Sequence, residues 1–129
     1  MIYAGIAALL RADQQLSAVV GDRVYFLDAE QLGDYPDIIQ YPSSGAPAET
    51  IEGAAPPWTR RISIECRGTT YAEAHRVGEH VLRILNNRVG LADDENIQAC
   101  RVVSDVPLAD DTSSIKRRVL DFRITHSPA

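Results

Sequence analysis

Three histidines, two cysteines and two carboxylate runs are the residues whose types could do chemistry. His75 and His80 fall five apart in one predicted helix. That spacing turns them about 140° around the axis, so they cannot share a metal, which needs neighbours four apart. His126, near the C-terminus, is expected to be loose. Cys66 could act as a nucleophile, but it runs in phase with Ile62 and Ile64 on the face of a strand that should be buried, where thiols are inert. Cys100 lies within another predicted strand and is read the same way. Asp93-Asp94-Glu95 and Asp110-Asp111 lack the spaced ligands and central glycine of a calcium loop and read as solvated turns. The sequence contains no GxSxG, Walker or GxGxxG pattern. No catalytic, metal or cofactor site is expected.

The basic residues point elsewhere. Arg60-Arg61 and Lys116-Arg117-Arg118 are runs on predicted strands, where successive side chains face opposite ways and cannot make a continuous comb for phosphates. Contacts between subunits are the better use for them. Trp58, the one tryptophan, follows Pro56-Pro57 at a strand entry. There it can anchor the core or serve as an interface hot spot. Ile51 is the one apolar anchor of a Pro/Ala/Gly-rich stretch, with Glu52 beside it. Ile51, Glu52, Trp58, Arg60, Arg61 and Arg117 are therefore the candidate assembly-interface residues.

The elements that must position them can be read from periodicity. Ile2, Ile6, Leu9 and Leu10 mark one face of a first helix. Asp13 caps a short second turn through Leu16, Val19 and Val20, stopped by Gly21. Strands are predicted over 23–27, 37–41, 58–66, 97–106 and 114–125. Between the second and third lies a mobile loop or arm, residues 43–57, too rich in Pro and Gly for a regular ladder. Thr70-Tyr71-Ala72-Glu73 is a capping box that opens the clearest helix. Its apolar face is Ala74, Val77, Val81, Ile84 and Leu85, and Gly90 is its expected stop. Glu79 and Arg83 have the favourable spacing for a surface pair. The order predicts an α+β fold: a mainly antiparallel sheet with two principal helices packed on one face. One domain over 1–129 is expected.

Composition narrows the function classes. The chain has 129 residues, 45% hydrophobic and 24% charged, enough for one core and too apolar for disorder. Its net charge of −5 argues against a dedicated nucleic-acid grip, which draws its strength from neutralising phosphates. The cysteines form no disulfide framework or zinc spacing. The apolar start lacks the basic flank and cleavage site of a leader and is too short to cross a bilayer, so an amphipathic helix in a cytoplasmic setting is expected.

The run from Ile62 to Leu82 (Ile-Ser-Ile-Glu-Cys-Arg-Gly-Thr-Thr-Tyr-Ala-Glu-Ala-His-Arg-Val-Gly-Glu-His-Val-Leu) resembles the central signature of the phage tail-completion, or tail terminator, family. Gly21 to Tyr25 is similar to that family's first strand entry, Tyr35 to Tyr41 to its Pro-containing strand, and Arg118 to His126 to its closing strand. The matches run through nearly the whole chain in order. Arg67 is a departure, standing where members often carry an aromatic. The resemblance implies a non-enzymatic virion protein without cofactor. It would form a ring, commonly a hexamer of itself, at the head-proximal end of a long tail. There it would stop polymerisation of the major tail tube protein and offer a surface to the head-side connector or stopper protein. DNA would pass through the lumen without specific binding, and no membrane would be involved. Another head–tail joining protein (a neck or connector-completion subunit) is the alternative, and a small ligand-binding or enzymatic α+β domain a third.

Overall fold

The computed structural model describes residues 2–27, 34–43, 55–108 and 114–129. Helix α1 (Ile2–Ala12) buries Ile2, Tyr3, Ile6 and Leu10 along one side, as the apolar spacing predicts. Helix α2 (Gln14–Val20) starts where the Asp13 carboxylate accepts the Leu16 N–H, and ends at Gly21, whose φ of 62° lets the chain turn. Strands β1 (Val24–Phe26), β2 (Asp37–Pro42) and β3 (Trp58–Gly68) follow. Helix α3 (Tyr71–Leu85) is opened by Thr70, whose hydroxyl accepts the Glu73 N–H at 3.1 Å. In return the Glu73 carboxylate accepts the Thr69 N–H at 2.9 Å. Strands β4 (Gly90–Ala92), β5 (Glu95–Leu108) and β6 (Lys116–Pro128) complete the chain.

The fold is α+β, with six strands in the order β1-β2-β3-β6-β5-β4. Every pairing is antiparallel except β1 with β2, which is parallel. Three helices are present where two principal ones were expected, because the short turn after Asp13 is a helix in its own right. All three contribute to one core with a single face of the sheet: Ile62, Ile64 and Cys66 from β3, Leu120, Phe122 and Ile124 from β6, and Ile97 and Cys100 from β5. Each strand alternates, so the odd-numbered residues of β3 and β6 occupy the opposite face.

Several expectations need correction. α3 ends at Leu85, with Asn86 as its cap and Asn87 at φ 66°, five residues before Gly90, which belongs to β4. An asparagine tolerates the left-handed region, so no glycine is needed for the stop. Strand β4 was not foreseen. Glu79 and Arg83 do not pair with each other, since Arg83 grips Asp13 through two bonds of 2.9 Å and Glu79 meets Arg118. His126 is 1% exposed rather than loose, with Nδ1 3.1 Å from Glu95. Of the 43–57 segment, residues 44–54 lie outside the described residues. Ser43 itself is held, donating its N–H to the Arg61 carbonyl at 3.1 Å.

Candidate assembly surface

The alternation of β3 divides the candidate residues between two faces. Trp58 and Arg60 share the helix-side face with Ile62, and Arg60 is 6% exposed. Trp58 leans on the His126 ring, centroids 5.6 Å apart. Arg61 projects from the opposite face, where its side chain is 41% exposed and lies 3.6 Å from Asp121. Arg117 is on that outer face too, directly across from Arg67. Arg61 and Arg117 are separated along the strands by six register steps, about 20 Å at the usual strand rise. Ile51 and Glu52 lie outside the described residues. Of the four described candidates, Trp58 and Arg60 share one face of the sheet and Arg61 and Arg117 the other.

What the structure does gather is a set of bidentate ion pairs invisible to local sequence patterns. Asp37 and Arg67 are direct partners in the β2–β3 register, joined by bonds of 2.8 and 2.7 Å and almost wholly buried. The Arg67 guanidinium also stands 5.3 Å from the centre of the Tyr35 ring, a cation–π contact. Arg67 is thus held as a core-like residue by a carboxylate and a ring. The Asp37 hydrogen bonds raise the Arg67 pKa above its ordinary value.

Arg118 ties three elements together from the helix side. It donates to Asp105 on β5 at 2.9 and 2.7 Å, to Glu79 on α3 at 3.1 Å and to the His75 carbonyl at 3.0 Å. Its hydrogen bonds hold the Asp105 carboxyl below the usual range. Gly78 lets α3 come this close. A Cβ there would stand 2.7 Å from an Arg118 terminal nitrogen and 2.8 Å from its Cδ. On the outer face, Tyr41 donates to Glu65 at 3.1 Å, and burial followed by the Glu65 charge pushes its phenol up to about 12.

None of this resembles a reaction centre. The two thiols are buried, and burial pushes Cys100 up to about 12 and Cys66 higher still, so neither is a ready nucleophile. Arg67, Arg83 and Arg118 spend their donors on carboxylates of neighbouring elements, and among the described residues these pairs leave no convergent set for a small molecule.

The sheet edges carry the more telling geometry. β4 covers β5 only over Glu95–Ile97. Beyond it, Asn86 caps the Val102 N–H and the Asn87 N–H caps the Cys100 carbonyl. From residue 103 to 108 no described strand lies on that side, and Val103, Val106 and Leu108 are exposed. Pro107 fits such an edge, since it has no N–H for a ladder. A cleft of about 450 Å³ adjoins it, lined by Tyr71, Ala74, His75, Asp105, Pro107 and Arg118. The other edge is the short β1, with exposed Phe26 and Leu27 at its end.

Comparison with known proteins accords with this picture. The family model for "Tail completion protein gp17" matches residues 4–127. No curated protein matches the chain. A chain from the solved structure described as "Virion of native gene transfer agent (GTA) particle" has the same fold, with a TM-score of 0.77 and 16% identity, over 97% of this chain and 93% of that one. With the family model spanning almost every residue from the first helix to the last strand, the chain belongs to the tail completion protein gp17 family and is a structural, non-enzymatic component of a phage-type tail.

Proposed function

We propose that the protein is a tail terminator, closing the head-proximal end of the tail tube as a ring of identical copies. The single observation that supports it most is the unlike pair of sheet edges. A ring needs heterologous contacts, in which one surface of a subunit meets a different surface of the next and the rotation closes. Here a long β5 edge, uncovered by any described strand beyond β4, stands with its cleft at one side and the short parallel β1 at the other. An isologous dimer would need one self-complementary patch instead. In this reading the copies number six, one rim of the ring stops the major tail tube protein, and the other receives the head-side connector. DNA passes through the lumen unheld, in keeping with the net charge of −5.

The test is in two steps. The purified protein is expected to form rings visible by negative-stain imaging and sedimentation. Added to polymerising tube protein, those rings should bind one tube end and shorten the length distribution. A strict monomer, or tubes whose lengths do not change, would refute the terminator role. Binding to tails made without heads distinguishes it from a neck subunit, which would bind only the head side.

A further inference from the structure

The antiparallel register lines up three arginines that are distant in sequence. Arg61 on β3 faces Arg123 on β6, and Arg123 faces Arg101 on β5. All three belong to the face away from the helices, since their neighbours Ile62, Phe122, Ile124 and Cys100 are the buried ones. Three strands in a row place these side chains across about 10 Å, two interstrand spacings. Arg101 and Arg123 are exposed, and the side chain of neither makes a hydrogen bond or ion pair among the described residues. Arg61 is partly neutralised by Asp121 at 3.6 Å, yet its Nε finds no hydrogen-bond partner.

Like charges directly opposite one another weaken a sheet. The isolated subunit thus carries a repulsive row across its three longest strands, although the chain has carboxylates to spare, 18 against 13 basic residues. A row kept at a cost to the monomer is accounted for by an anion that arrives later. The net charge of −5 already includes these three positive charges, so the remaining surface is more acidic still. The side chains of Asp22, two residues before β1, and Asp34, three residues before β2, are exposed and make no hydrogen bond or ion pair among the described residues. Duplex DNA fits poorly: three cations neutralise few phosphates, and the acidic whole opposes its approach.

We infer that Arg61, Arg123 and Arg101 form a cationic strip that docks the carboxylates of a second copy of this chain. The inference rests on the ring reading above and names one of its contacts.

Arg123→Glu tests it, because this change converts both like-charge pairs into opposite-charge pairs. The monomer should become more stable, with Tm raised by about 2–5 °C, while self-association weakens at least about tenfold. Arg123→Lys, which keeps the charge, should assemble. Self-association of the unaltered protein should also weaken between about 0.05 and 0.5 M salt, as exposed pairs are screened. If the unaltered protein forms rings and Arg123→Glu forms them equally well, the strip is not a contact and only this inference falls. If the unaltered protein never self-associates, the ring reading falls with it. Binding of short duplex DNA, measured by fluorescence anisotropy and lost in Arg123→Glu while rings persist, would overturn the inference in favour of a phosphate site.

Discussion

The Asp37–Arg67 pair offers the sharpest test of how this sheet is held. Its side chains are 3% and 10% exposed, and two hydrogen bonds of 2.7–2.8 Å join them across the β2–β3 register. Asp37→Ala leaves a buried guanidinium that has lost its carboxylate, which typically costs about 3–5 kcal/mol. The Tyr35 ring remains beside the charge and offsets part of that loss. The expected destabilisation is about 3 kcal/mol, a large fraction of the roughly 5–15 kcal/mol available to a domain. With a urea slope of about 2 kcal/mol/M for a chain of this size, the midpoint should fall by about 1.5 M with the slope unchanged. Trp58 fluorescence can follow the transition, because the indole lies against His126 in the folded sheet. Arg67→Met should cost a similar amount by leaving Asp37 buried and unpaired. The double variant should lose less than the two single losses added, since neither charge is then stranded. Single losses below about 1 kcal/mol, or strict additivity, would refute the claim that this pair is a coupled buried unit.

Other consequences are as direct. Gly78→Ala would gain about 1 kcal/mol in an open helix, but its Cβ would meet Arg118 at 2.7–2.8 Å; a net loss of about 1–2 kcal/mol is expected, and a stabilised variant would show that the Arg118 network yields freely. Acid should destabilise the protein in a defined sense. Arg83 holds Asp13, and Arg118 holds Asp105, below the ordinary carboxylate range. Their contribution is therefore fully present above about pH 4 and is lost as pH falls through the depressed folded-state values. Asp13→Asn should flatten part of that decline in a Tm-against-pH series, modestly, because its pair with Arg83 is near the surface. Cys66→Ser should lower stability by about 1–3 kcal/mol through a buried hydroxyl while rings still form. Deletion of residues 44–56, by contrast, should abolish rings if that segment is an arm between copies, and normal rings from the deletion would end that idea.

The elements legible in advance were those whose information is local. Ile62, Ser63, Ile64, Glu65 and Cys66 alternate strictly, and β3 is there with Cys66 on the buried face. Thr70 and Glu73 carry the signal for α3 within four residues, and both side chains make capping bonds. The three residues of β4 are too few to show any period, and its existence depends on Glu95–Ile97 lying alongside. The end of α3 was misplaced because Gly90 is the conspicuous breaker, whereas the chain turns on Asn87. Arg83 illustrates the limit of helix-pair rules: Glu79 is in reach by spacing, but Asp13, the cap of α2, arrives with two oxygens in line. The family likeness was readable because ordered strand and helix patterns span the chain. Which arginines would meet one another was not, since that depends on how strands distant in sequence come into register.

That register gives this protein two distinct uses of arginine. Arg67, Arg83 and Arg118 each hold a carboxylate with two nitrogens, binding β2 to β3, α2 to α3, and β6 to β5. Such forks fix geometry as well as charge. Arg123 and Arg101 are placed within the same sheet and left without such partners. A shortage of acids cannot explain the difference, and neither can solubility, which a negatively charged surface already secures. On the inference drawn above, placement accounts for it: the forks tie neighbouring elements of one subunit, and the unpaired row lies on the outer face of the sheet. Stability and assembly should consequently separate under substitution. On the ring reading, removing a fork should lower the melting temperature and harm rings only through unfolding, whereas reversing Arg123 should raise the melting temperature and dissolve the rings.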